Sequence, residues 1–200
     1  MKAETQLDRR ARRSRQAIKS AFVALVLEKG YDAVTVMDVA ERADYNRGTF
    51  YKHFMGKEEL LKEIRDDFLA AVSDALLDPY PGLERIEADR IFPSTLLLFE
   101  LIEKRKDEFK ALLTADKGMG IELMNALRRS MKDDMRIELE HREPPVDYEI
   151  MLSYQLSATV GVIMYWAETN FKYSARYMAE QLFALNRNKM KSIEFTHKPE

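Results

Sequence analysis

The stretch at residues 45–54, YNRGTFYKHF, decides how this chain is read. It holds Tyr45, Phe50, Tyr51 and Phe54 beside Arg47, Gly48, Thr49, Lys52 and His53. Such a segment is too polar to bury whole and too aromatic to leave in water. A short helix resolves the conflict, with one side buried and the other left to a wet, charged partner. Upstream, TVMDVAERA (35–43) opens on Thr35 with Asp38 three residues later, the spacing of a capping box. Val36, Val39, Ala40 and Ala43 give that second short helix a buried side. The triplet DYN (44–46) between them is turn-prone. An earlier helix is expected over 8–29, with Ile18, Phe22, Leu25 and Val26 at helical spacing and Gly30 as its C-cap. Gly56 breaks the short helix. A long helix is expected from Lys57, with Glu58 and Glu59 in its first turn and Leu60, Ile64, Phe68, Val72 and Leu76 on one face.

Two short helices joined by a tight turn behind a longer one make a helix-turn-helix. Tyr45, Phe50, Phe54 and Leu60 can close a core with Ile18, Phe22, Val36 and Val39. The remaining side chains suit DNA. Arg47 can form paired hydrogen bonds to guanine or phosphate. Gly48 admits close backbone approach. Thr49 offers a hydroxyl and a methyl, Tyr51 and His53 suit phosphate oxygens, and Lys52 is a mobile cation. Thr35 and Lys57, at the starts of flanking helices, are placed for phosphates. His53 lacks metal-ligand spacing to His141 or His197.

The run GYDAVTVMDVAERADYNRGTFYKHFMGKEELL (30–61) resembles the N-terminal domain of the TetR family of bacterial transcriptional regulators. The resemblance implies an all-α protein with a three-helix DNA-binding domain (1–56) and a larger helical ligand-binding and dimerisation domain (57–200), about nine helices in all. It implies DNA contacts at Thr35, Arg47, Thr49, Tyr51, His53 and Lys57. Asp44 stands where many members have Gly, and Tyr45 is bulkier than usual, which leaves packing and DNA contact both open for it.

Charge is distributed accordingly. Net charge is −2 over 200 residues, but residues 1–55 hold eleven Lys/Arg against seven Asp/Glu, a basic head on an acidic remainder. The arginines at 9, 10, 12, 13 and 15 read as a tail for phosphates or the minor groove, or as a solvated charge run. Apolar residues make up 46%, with only 7 Gly and 6 Pro, which favours a helical core. The chain has no Cys, so disulfides and thiolate metal sites are excluded. The charged start is no signal peptide, and no apolar run reads as a membrane span. A cytoplasmic protein without cofactor or metal is expected.

In the body, Pro79, Pro81 and Gly82 interrupt the helix pattern. Helices are expected over 93–113, 120–141, 147–171 and 174–191. The last two resemble the family's dimer-forming pair, with Tyr154, Ser157, Ala158, Gly161, Tyr165, Met178, Leu182 and Leu185 at a homodimer interface; completion of the monomer core is the alternative. A small-effector pocket, implied by the resemblance, would be lined by Phe92, Phe99, Phe109, Met124, Met151 and Met164, residues that fit plain core equally well. No catalytic motif stands out: GMG (118–120) is no dinucleotide fingerprint, and neither G-x-S-x-G nor H-E-x-x-H occurs. The expected function is a dimeric repressor of a near-palindromic operator in double-stranded DNA, released by a small ligand. A helical protein-interaction module, or an activator without an effector, is the alternative.

Overall fold

The computed structural model describes residues 6–79, 92–133 and 146–187. Among these, every regular element is a helix: α1 (Gln6–Lys29), α2 (Val36–Arg42), α3 (Arg47–Tyr51), α4 (Lys57–Leu77), α5 (Phe92–Lys104), α6 (Lys106–Ala115), α7 (Met119–Asp133), α8 (Tyr148–Glu168) and α9 (Ala175–Arg187). The head is α1–α3 with the start of α4. Ile18, Phe22, Val39, Phe50, Phe54 and Leu60 are all buried there, and Tyr45 packs half-buried against them. Each fully buried aromatic contributes about 1.5–3 kcal/mol through the water it sheds.

Helix ends follow local chemistry. Gly30 stops α1 at φ +79, with its N–H bonded to Val26 O at 2.9 Å. The end of α2 is a Schellman turn: Tyr45 N bonds Ala40 O at 2.9 Å and Asp44 N bonds Glu41 O at 3.1 Å, with Asp44 at φ 59. The aspartate therefore takes the left-handed geometry that glycine supplies more easily.

The arginines at 9, 10, 12 and 13 are exposed on the opening turns of α1, inside the helix expected over 8–29. Two expectations need correction. The short helix expected to run up to Gly56 spans Arg47–Tyr51, with Phe54 past its end. The single helix expected over 93–113 is two, broken at Arg105. Arg105 Nη1 donates to Asp67 O at 3.1 Å, its guanidinium lies 5.1 Å from the Phe68 ring centroid, and its other nitrogens bind Glu108. These bonds pull the chain onto α4 at the break. Residues 134–141 and 188–191 of the expected helices lie outside the described residues, as do Pro81 and Gly82.

In the body, α5 packs on α4 and α9, α7 packs on α4 and α8, and α6 lies on α1. Phe68 and Phe109 stack at 5.1 Å, and Phe99 meets Trp166 edge-on at 5.4 Å. Trp166 is buried and satisfies its indole N–H on Tyr173 O at 2.9 Å. The 21 residues of α8 are, by length and composition, apolar enough to cross a membrane, a run the sequence reading passed over. Only Glu149 and Glu168, at its ends, are charged. Its inward side, Leu152, Leu156, Val160, Ile163 and Trp166, is buried in the protein.

Candidate nucleic-acid interface

The third helix is one and a half turns long, so its shape depends on its ends. Asn46 caps it: its Oδ1 accepts from Thr49 N at 2.8 Å and from Thr49 Oγ1 at 3.1 Å. A Cβ on Gly48 would sit 3.2 Å from that same oxygen, so glycine leaves the cap room. Phe50 pins the helix to the core from one side. On the other, Arg47, Gly48, Tyr51 and Lys52 are exposed, with Thr49 and His53 half-buried at the margins. Arg47 Nη2 donates to Tyr51 Oη at 3.1 Å, and its guanidinium carbon lies 5.2 Å from the Tyr51 ring centroid.

The flanking residues are more committed than the sequence suggests. Thr35 Oγ1 accepts from Asp38 N at 3.2 Å and Thr35 N donates to Asp38 Oδ2 at 2.8 Å, completing the capping box, and Thr35 Oγ1 also donates to that carboxyl at 2.7 Å. Lys29, 2.7 Å from Asp38, and Thr35 hold that carboxyl well below the usual carboxylate range. Thr35 stays exposed, but its proton is engaged. Lys57 Nζ donates to three carbonyls of the loop after α1: Tyr31 at 3.1 Å, Asp32 at 3.3 Å and Val34 at 3.1 Å. It also lies 4.5 Å from the Tyr31 ring centroid. An ammonium has three protons, and all three are engaged. The side chain expected to meet phosphate is thus a clamp between α4 and that loop.

His53 makes a contact no local pattern reveals. Its Nε2 lies 2.7 Å from the hydroxyl of Ser14, 39 positions upstream. Ser14 is buried, and its Oγ lies 2.9 Å from Ala11 O. Burial, then the Arg15 and Lys52 charges, push the imidazole below its ordinary pKa, and Glu63 only partly offsets them. Arg15 meanwhile pairs with Glu63, which also pairs with Lys19 at 2.6 Å, tying α1 to α4. Sequence reasoning also missed Met37 and Met55, both exposed, the latter 82% so, in the turn before α4.

The body's expected sites separate on inspection. Tyr154, Ser157, Gly161 and Tyr165 form an exposed stripe along α8, with Tyr154 70% and Tyr165 53% accessible. A Cβ on Gly161 would meet nothing within 4 Å, and Leu185 is exposed on α9. Ala158 is half-buried. Met178 and Leu182, expected with them, are instead buried at 4% each, on the face of α9 that includes Ala175 and Ala179. They complete the monomer core. Of the six residues expected around an effector, Phe99 and Phe109 present no surface that water could reach, so neither lines a cavity in this conformation. Phe92, Met124, Met151 and Met164 are half-buried. An open cleft of about 530 Å³ lies elsewhere, along α1, α4 and α6, bordered by Lys19, Val23, Leu27, Ile64, Asp67 and Arg105.

Comparison with known proteins agrees with this architecture. Residues 18–64 match the model of bacterial regulatory proteins of the tetR family, and residues 89–188 match that of a transcriptional regulator C-terminal region of the same family. The chain belongs to the TetR family of bacterial transcriptional regulators. Among relatives, the HTH-type transcriptional regulator YxbF of Bacillus subtilis is 38% identical over 74 residues. That match covers 36% of this chain but only about a fifth, 20%, of the relative's length. The HTH-type transcriptional repressor KstR2 of Mycobacterium tuberculosis is 27% identical over 176 residues, covering 81% of this chain and 85% of the relative. A TetR transcriptional regulator from Streptococcus agalactiae shares the fold at a TM-score of 0.64 and 22% identity, over 90% of this chain and 96% of that one.

Proposed function

We propose that this regulator binds a near-palindromic operator as a homodimer and represses transcription. The observation that carries the reading is the exposed face of α3, where Arg47, Gly48, Tyr51 and Lys52 stand clear of a core closed by Phe50 and Phe54. Arg47 reads a base edge in the major groove. Thr49, Tyr51, Lys52, His53 and the exposed Thr35 lie toward the phosphates on either side, and Gly48 lets the backbone approach. Tyr45 acts from beneath, bracing the helix. One such helix spans only a few base pairs, so a twofold dimer supplies the second half-site. The exposed stripe of Tyr154, Ser157, Gly161 and Tyr165, with Leu185, supports a four-helix dimer seam.

Repression rather than activation is supported by the description of KstR2 as a repressor. A small effector that holds the two heads at another separation would release the DNA. The half-buried Phe92, Met124, Met151 and Met164 are the residues left to line its site. Acting on chromosomal DNA places the protein in the cytoplasm. Titration of a selected duplex by fluorescence anisotropy tests the reading. Log affinity falls against log salt with a slope of roughly −0.9 for each phosphate that a Lys or Arg neutralises, so Lys52 on the two half-sites alone contributes about −2. Arg47→Ala relaxes preference at one position of each half-site by roughly 1–3 kcal/mol. Unchanged selectivity in that variant removes Arg47 from the groove.

A further inference from the structure

The proposed function leaves Tyr51 as one phosphate contact among several, but its position supports a second task. We infer that Tyr51 is a positioning residue for Arg47, and that the two form one base-reading unit anchored in the head core. The inference rests on Arg47 reading a base.

The geometry runs outward in three steps. Phe50 is fully buried and fixed by its neighbours. The Tyr51 ring meets Phe50 edge-on, with centroids 5.6 Å apart and planes at 84°, so an exposed ring is braced by an immobile one. Arg47, four residues earlier on the same helix face, lies with its guanidinium carbon 5.2 Å from the Tyr51 centroid and donates Nη2–H to the phenol oxygen at 3.1 Å. An exposed arginine ordinarily loses much rotamer freedom when it settles on a base. Here one nitrogen and the guanidinium face are already held in the free protein, which leaves Nη1 and Nε for the base edge. Pre-organisation of this kind acts on the contact that discriminates between bases. The phenol O–H is still free to donate to phosphate, since the oxygen accepts from Arg47 through a lone pair. Tyr51 therefore has two separable effects: its O–H acts on every sequence alike, and its ring and lone pair act only on the base that Arg47 reads.

The test takes an operator selected by the wild-type protein and the same duplex changed at the base pair whose preference Arg47→Ala abolishes. The ratio of the two affinities is measured for wild type, Tyr51→Phe, Tyr51→Ala, Arg47→Ala and the double Ala variant. Expected is a ratio reduced about tenfold or more by Arg47→Ala. Tyr51→Ala reproduces most of that reduction, Tyr51→Phe keeps most of the discrimination through its ring, and the double variant is no worse than Arg47→Ala alone. In the free protein, the Arg47 Nε–H signal loses its ordering in Tyr51→Ala and retains it in Tyr51→Phe. A Tyr51→Ala protein that weakens both duplexes by one factor, with the ratio intact, overturns the inference and leaves Tyr51 a phosphate contact. So does a double variant whose losses in the ratio add. A wild-type protein that enriches no sequence overturns the proposed function itself, a result distinct from either.

Discussion

Lys57→Met separates two roles for a residue that the sequence assigns to DNA and the structure assigns to a loop. Methionine keeps the length and apolar stem of the side chain and removes the ammonium. That ammonium bonds the carbonyls of Tyr31, Asp32 and Val34 at 3.1, 3.3 and 3.1 Å. The Tyr31 and Val34 bonds are part-buried and the Asp32 bond is exposed, so only two carbonyls lose a partner that water replaces poorly. A hydrogen bond to a charged group is worth about 1.5–3 kcal/mol, so taking the low end for two gives a loss of about 3 kcal/mol. For a chain of this size that lowers Tm by roughly 6–12 °C. Urea and thermal unfolding followed by circular dichroism read the loss. Lys52→Met is the control: its side chain is exposed, so stability holds within about 0.5 kcal/mol, while operator affinity falls and the salt slope of the dimer shrinks by about 2, one contact per half-site. If Lys57→Met instead unfolds like wild type and loses affinity with a smaller salt slope, the clamp is refuted and Lys57 is a phosphate ligand.

Three further outcomes follow from particular residues. Asp44 sits at φ 59, so Asp44→Gly changes urea stability by less than about 1 kcal/mol, whereas Asp44→Val costs roughly 1–2 kcal/mol because a β-branched side chain resists that backbone. The folded protein holds the His53 pKa below its ordinary value, so the unfolded chain binds the proton more readily. Stability from this group is present above about pH 6.5 and declines as pH falls from there toward the lowered pKa, while operator binding, which brings phosphate to the imidazole, tightens over the same interval. His53→Gln flattens both profiles. Tyr154→Glu, on the exposed stripe of α8, yields a folded monomer by analytical ultracentrifugation that binds the operator at least tenfold more weakly. An unchanged dimer moves the interface elsewhere.

The head was legible because its signals are local. The Thr35–Asp38 cap and the left-handed residue at Asp44 each act within one or two turns. What escaped involves partners far along the chain. The break at Arg105 depends on Asp67 and Phe68, the commitment of Lys57 on carbonyls more than twenty positions upstream, and the His53 contact on Ser14. Met178 and Leu182 were misplaced for another reason. An apolar helix face has the same pattern whether its own chain or a second copy covers it, and only the packing of α9 on α5 distinguishes the two. Phe99 and Phe109 pose the same ambiguity between core and cavity, which their complete burial resolves toward core.

The central claim is that the exposed side of α3 reads DNA and that two copies read it together. Selection of bound duplexes from a random pool, followed by footprinting, tests it in one experiment. Expected is an enriched sequence with two inverted half-sites, both protected by the protein. No enrichment, or a single unsymmetric site bound by one copy, would contradict it.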